Sequence, residues 1–410
     1  MSGTPDEPVS ARVGPTAPDG DGATVPVTVV ASAPPATEHA VPEPDWAPPL
    51  HLPDSLVAAL LAAGQDARLV LVPPPAGTPY ADVADCAAGL ADRLPHGGVV
   101  HALDPRAAAV ALAARRVAGG AVVTRWGALP VADDPAVRAA RTAVLRAADA
   151  VVCPGEQLAR TARSRGAAVV GVVPDGVDTA TLVTGSAPAT SPERAGLRLV
   201  SLSGPDADGG TATLVAALRS VPGARLVVAG RGTPGARQRL TGWLERAGVA
   251  DRVEVRGLVP RAEALALLDA ADVLLAPRAG ATSAAAALEA MCRARIVVGA
   301  DVPVLAEVVA DRSTGLLVPP RDPVALSKAL QSLQENPFRR EAWGLAGQDR
   351  VVAVHDWRVV LPRLQDVYRA IAAERRPAPV AGALGQCSTD ERWSSSRHRG
   401  SPARPRRHAR

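Results

Sequence analysis

Short β-branched runs alternate with alanine-rich stretches along most of this chain. TVPVTVVA (24–31), ARLVLVP (67–73), GGVVHAL (97–103) and GAVVTRWG (120–127) have the length and the Val content of buried strands. Helical spacing covers 54–63, 106–117, 134–148 and 156–165, with DAVVCP (149–154) and AAVVGVVPDGVD (167–178) as further strand signals. The same rhythm restarts at LRLVSLSG (197–204) and continues through ARLVVAG (224–230), DRVEVRG (251–257), DVLLAP (272–277), RIVVGA (295–300) and TGLLVP (314–319). Helices are predicted between these runs at 213–219, 236–247, 261–270 and 284–292, and after the last at 323–334. Apolar runs without period-2 alternation belong to parallel sheets covered on both faces. The expected class is therefore α/β, with two Rossmann-like domains facing each other across a cleft.

The expected organisation is a disordered Pro- and acid-rich arm at 1–22, an N-terminal domain at 23–184 and a linker at 185–196. A C-terminal domain at 197–355 follows, then a helix at 356–374 packing back towards the first domain, and an Arg-rich disordered tail at 375–410. Ligands of such sheets bind at the carboxyl ends of the strands, and here two such edges can face one another.

Composition narrows the function. The 410 residues are 47% hydrophobic and 21% charged, a globular balance. No apolar run reaches the ~18 residues of a membrane span, and MSGTPDEPVS lacks the basic-then-apolar order of a secretory leader, so a cytoplasmic location is expected. Cys86, Cys153, Cys292 and Cys387 are far apart, with no CxxC pair, which excludes a disulfide framework and a zinc knuckle. The net charge of +4 is a property of the ends: the tail has nine Arg against Asp390 and Glu391, and residues 1–47 have seven acids against Arg12. The body between them is nearly neutral, and the whole chain has only six Trp, two Tyr and one Phe for base stacking. No nucleic-acid partner is expected for the folded body, whereas the Arg-rich tail suits an acidic partner.

Gly230-Arg231-Gly232-Thr233-Pro234-Gly235 is a G-x-G-x-x-G between a strand and a helix, and Glu254 lies at the end of the next strand. Two readings stand: an NAD(P) site, or a tight strand-to-helix turn. The turn is favoured, because this is the second strand of its domain and Pro234 has no N–H to offer a phosphate.

The order of several phrases points elsewhere. VVHALDP (99–105), ADAVVCPGEQLA (148–159), VVPDGVD (172–178), DRVEVRGLVP (251–260), DAADVLLAP (269–277), ALEAM (287–291) and TGLLVPPRDPVAL (314–326) together resemble the retaining glycosyltransferases of family four, over residues 50–372. The resemblance implies the GT-B fold, a nucleotide-sugar donor on the C-terminal domain and an acceptor hydroxyl on the N-terminal one. It also implies transfer with retention of anomeric configuration, and no cofactor.

Carried over residue by residue, it gives Glu289 a ribose contact and gives the backbone of Arg256, Gly257, Leu258 and Val259 the base pocket. Other expected positions are changed. Ala281 stands where a Glu should grip the sugar, Gly204 and Gly209 lie in the loop that should supply an Arg and a Lys, and Trp126 stands for a His. No basic residue occurs between Arg198 and Arg219, and Lys328 is the only lysine. Arg231 and Arg278 at strand ends are candidate substitute cations, Thr282 and Ser283 mark a helix N-terminus suited to phosphate, and Asp206 and Asp208 are a weak Mg²⁺ pair. Asp175 and Gly176 are expected to shape the domain junction. The functional reading is a family-four-type glycosyltransferase with eroded catalytic positions. The alternative is a non-catalytic nucleotide or nucleotide-sugar binding protein, with a competent paralogue as a possible partner; an NAD(P)-dependent enzyme ranks third.

Overall fold

The computed structural model describes residues 25–373 apart from 33–50, 74–81, 95–97, 128–134, 184–195, 206–209, 231, 233 and 282. The arm at 1–22, most of the linker at 185–196 and the tail at 375–410 lie outside the described residues. The first half contains β1 (Val27–Ser32), β2 (Ala67–Val72), β3 (Val99–Ala102), β4 (Ala121–Arg125), β5 (Ala150–Cys153) and β6 (Val170–Val172). They form one parallel sheet in the order β2-β1-β3-β4-β5-β6. Its helices are α1 (His51–Ala62), α2 (Val83–Ala91), α3 (Pro105–Ala118), α4 (Pro135–Ala147), α5 (Glu156–Ser164) and the short α6 (Thr179–Leu182).

The second half repeats the plan. β7 (Arg198–Ser201), β8 (Arg225–Ala229), β9 (Val253–Gly257), β10 (Val273–Ala276), β11 (Ile296–Ala300) and β12 (Gly315–Val318) form a parallel sheet in the order β12-β11-β10-β7-β8-β9. Around it lie α7 (Thr211–Leu218), α8 (Pro234–Ala247), α9 (Arg261–Ala270), α10 (Ala285–Cys292), α11 (Pro303–Ala306), α12 (Pro323–Gln334) and α13 (Pro337–Val354). The last helix, α14 (Trp357–Ala373), leaves this half. It buries Trp357, Val360, Leu361, Leu364, Tyr368 and Ile371 against Val27, Leu56 and Leu60 of the first half. Among the described residues no helix is long and apolar enough to cross a membrane.

Local chemistry explains the element starts. Asp104 caps α3 by accepting from the Arg106 and Ala107 amides, with Pro105 in the first turn, and Asp322 caps α12 in the same way ahead of Pro323. The Asp104 carboxylate also accepts from Ser32 N at 2.7 Å and Ser32 Oγ at 2.8 Å. One side chain thus fixes the end of β1 to the start of α3 on the carboxyl edge of the sheet.

Two crossing segments join the halves. Val177 N donates to the His355 carbonyl at 2.8 Å, Trp357 N donates to the Val177 carbonyl at 3.2 Å, and His355 Nδ1 donates to the Asp175 carbonyl at 2.9 Å. Arg125 grips the Asp175 carboxylate with two bonds, Nε to Oδ1 at 2.7 Å and Nη2 to Oδ2, and both side chains are buried. Gly176 is required here, because a Cβ would lie 2.2 Å from Trp357 Cε3. Across the cleft the halves touch again at Gly155, where a Cβ would lie 1.8 Å from Glu307 Cδ. A carboxylate at this start of α5 also suits the helix dipole.

His101 on β3 is fully buried, and its Nδ1 lies 2.7 Å from the Tyr368 hydroxyl of α14. Burial, helped by the nearby Arg125 charge, lowers the imidazole pKa from 6.5 to about 3. The unfolded chain therefore binds a proton near pH 6.5 that the folded protein refuses until about pH 3, so this group destabilises the fold as pH falls through that window. One proton corresponds to a slope of about 1.4 kcal/mol per pH unit. His101→Gln should flatten the acid limb of the stability–pH curve by up to that slope, read from denaturant midpoints at several pH values. An unchanged limb would mean that His101 titrates normally in the folded protein.

Candidate functional site

A cavity of about 1060 Å³ lies between the carboxyl edge of the second sheet and a first-half side made by α1, α14 and the junction. Its second-half wall carries Arg261, Ser283, Ala285, Leu288 and Glu289. Glu289 sits inside α10, whose Ala, Leu and Met residues are strong helix formers, and its side chain is 2% exposed. Arg261, the first residue of α9, donates from Nη2 to Glu289 Oε1 at 3.2 Å and keeps 37% of its side chain exposed. Ser283 Oγ accepts from Ala285 N at 3.2 Å, so this hydroxyl serves the start of α10.

The opposite wall is built by α1 and α14. These helices run side by side in the same direction, since Trp357 Nε1 donates to Ser55 Oγ at one end and Gln365 Nε2 donates to Gln65 Oε1 at 2.9 Å at the other. Asp54, Ser55 and the alanines from 58 to 63 line the cavity from α1, and Trp357, Arg358, Leu361 and Pro362 line it from α14. The junction residues Asp175 to Asp178 form its back. Burial opposes ionisation of Asp356, but hydrogen bonds from Arg358 and Thr179 outweigh it and hold the carboxyl below its usual range. Cys292 is no nucleophile, because burial and the neighbouring Glu289 charge push its thiol up to about 12.

The residues singled out in the sequence separate. Glu289 and Ser283 line the cavity, as do Asp175 and Gly176. Arg256, Gly257, Leu258 and Val259 precede Arg261 but their side chains are not in the lining, and the Arg256 guanidinium is bound to Glu254 and Glu263 on the surface. Arg278 is exposed and outside the lining. Ala281 is half-buried and packs against the core of its half. Trp126, which stands for the resemblance's N-domain His, is 2% exposed in the first half's core, so it presents no group to the cleft. Asp206, Asp208, Gly209, Arg231 and Thr282 lie outside the described residues.

The G-x-G-x-x-G glycines serve loop packing. Gly230 has φ +124°, and a Cβ there would lie 2.7 Å from Gly204 N; a Cβ on Gly232 would lie 2.3 Å from Pro205 Cγ. Pro205 therefore fills the space above Gly232 that a pyrophosphate would need. Sequence reasoning missed Arg261 and the whole α1 wall. The available signals were Arg261 in the first turn after the GLVP phrase, and alanines at 58, 59, 62 and 63 with helical spacing.

Comparison with known proteins gives one family match: residues 209–336 match Glycosyl transferases group 1. Phosphatidyl-myo-inositol mannosyltransferase of Mycobacterium leprae is 33% identical over 138 residues, 33% of this chain and 37% of that protein. D-inositol 3-phosphate glycosyltransferase of Segniliparus rotundus is 30% identical over 190 residues, 46% of this chain and 42% of that protein. The aligned part is thus less than half the length of these curated relatives. Sucrose-phosphate synthase from Thermosynechococcus elongatus superposes with a TM-score of 0.69 at 21% identity, over 85% of this chain and 99% of that one. Anabaena HepE in complex with UDP and glucose superposes with a TM-score of 0.66 at 16% identity, over 84% of this chain and 99% of that one. The fold is GT-B.

The back of the cavity depends on the buried Arg125–Asp175 pair. Asp175→Asn should leave the guanidinium uncompensated and cost about 3 kcal/mol or more, measured as a loss of unfolding free energy in denaturant. A cost below about 1 kcal/mol would show that water reaches Arg125 and that the junction is looser than its geometry.

Proposed function

We propose, for a chain whose residues 209–336 belong to the glycosyl transferases group 1 family, that the protein transfers a sugar from a nucleotide-sugar to an acceptor hydroxyl with retention, through a site in which several catalytic positions are replaced. The observation that carries this reading is Glu289: a buried carboxylate on the wall of the cleft, held by Arg261 at the start of the next helix back in the chain. In this reading Glu289 accepts hydrogen bonds from the ribose hydroxyls, and the backbone of Arg256 to Val259 lies against the base. The phosphates lie at the start of α10 beside Ser283, where free amides and the helix dipole favour negative charge. The UDP bound in the HepE structure, and the transferase names of the aligned relatives, support a nucleoside diphosphate as the ligand class. The reading uses no metal.

Loss of the leaving-group cations favours a second reading, a protein that binds the nucleotide without turnover. The stretch between Arg198 and Arg219 contains no Lys or Arg, and Lys328 lies in α12. Two cations aimed at a departing diphosphate contribute several kcal/mol to a transition state in a low-dielectric cleft. Arg231 and Arg278 are the proposed substitutes, and release of free sugar from the donor separates the two readings.

Isothermal titration with UDP, GDP and NAD⁺, with and without Mg²⁺, should show binding of one diphosphate, independent of the metal, and none of NAD⁺. Glu289→Ala should weaken that binding by about 1 kcal/mol or more, roughly fivefold. Unchanged affinity in the variant removes the ribose assignment, and no binding of either diphosphate to folded protein removes the donor site.

A further inference from the structure

We propose that the α1–α14 side of the cavity is an acceptor subsite for an uncharged, polyhydroxylated head group carrying an apolar arm, and that it rejects phosphate-bearing acceptors. The inference rests on the nucleotide-sugar reading for the word acceptor, but its evidence lies on the other wall. At about 1060 Å³ the cavity stands at the upper limit of the ~300–1,000 Å³ typical of single-ligand pockets, so it has room beside a donor.

The wall is graded along its length. Near the junction and Glu289 it offers Asp54, Ser55, Asp178 and Thr181, all able to accept hydrogen bonds from hydroxyl groups. Pro362 has no N–H to close a helical bond with the Arg358 carbonyl, and both residues border the cavity, so the same helix face offers one more acceptor. Further along, the surface is Ala58, Ala59, Ala62, Leu361 and Pro362, closed at the far end by the Gln365–Gln65 bond. A polar head towards the donor and an apolar arm along α1 match that gradient.

Charge decides between neutral and anionic heads. Each cation lining the cavity is already committed, Arg261 to Glu289 and Arg358 to Asp356. Just behind the lining, Arg125 is buried on Asp175. Asp54 has no ion-pair partner among the described residues. The lining itself carries Asp54, Asp175, Asp178, Glu289 and Asp356 against Arg261 and Arg358. A phosphate entering here would lose its hydration and meet more carboxylates than cations, both of the latter already paired, which is discrimination by repulsion.

The test compares octyl β-glucoside with octyl phosphate, both below their micelle concentrations, by saturation-transfer NMR titration of the full chain. The glucoside should bind at least about tenfold more tightly. Ala62→Phe fills the apolar end at an exposed position, so it should weaken glucoside binding about tenfold without unfolding the protein. Asp54→Lys, also exposed, should raise affinity for octyl phosphate. Equal or tighter binding of the phosphate by the wild-type chain overturns the proposal, as does an Ala62→Phe variant with full glucoside affinity. UDP titrated separately reports the donor wall: its failure to bind sinks the nucleotide reading, while the glucoside comparison still decides this one.

Discussion

The carboxylate of Asp175 lies out of water between the two halves, and the structure around the cleft is arranged to keep it satisfied. Arg125 at the end of β4 meets it in the bidentate geometry that makes a buried pair tolerable, while the Asp175 carbonyl accepts from His355 of the other crossing segment. In Arg125, burial disfavours the charge, but the Asp175 carboxylate more than compensates and raises the guanidinium pKa. One residue later Gly176 gives its missing side-chain space to Trp357, which starts α14 and reaches Ser55 of α1. The pair therefore fixes the crossing segments, the crossing segments set where α14 begins, and α14 with α1 makes one wall of the cavity.

The opposite wall follows from a different constraint. Glu289 is too deeply buried to be an ordinary surface acid, and an uncompensated carboxylate there would be expensive. Arg261 offsets that penalty from the first turn of α9, so one ion pair keeps the carboxylate charged on the cavity wall. The price appears in the remaining electrostatics. Cations near the cleft are consumed by structural partners, and the loop after β7 has none to give. A site of this kind retains recognition of neutral hydroxyls better than stabilisation of a leaving diphosphate.

Much of the fold was legible because parallel strands buried on both faces leave continuous Val-rich runs, and Ala-rich helices separate them. The helices Arg261–Ala270 and Pro323–Gln334 have the ends that the periodicity indicates. The sequence was weaker where tertiary packing decides. In α13, Gly344 and Gly347 obscure a helix pattern, yet Gly344 is the residue that lets the helix approach the Ala294 carbonyl, where a Cβ would lie 2.2 Å away. For the site, Glu289 came into view through the resemblance that the LEAM phrase carries, and the structure puts it on the cavity wall. Arg261 was not legible, since an arginine in the first turn of a helix reads as a solvated charge until its partner is known. The alanines of α1 hid for the opposite reason: small residues at helical spacing indicate a packed face, and only the placement of α14 beside them leaves that face open.

That last point bears on how the two walls are related. The family match at 209–336 covers Arg261 and Glu289, whereas the α1 wall lies outside it. GT-B architecture permits this division because the halves touch mainly through the crossing segments and the Gly155–Glu307 contact, so each edge can change its chemistry without repacking the other. Loops after strands tolerate substitution better than the sheets that carry them. Within the lining five carboxylates stand against two arginines that are each paired with one of them, so the charge of the cavity disfavours a further anion along the α1 wall.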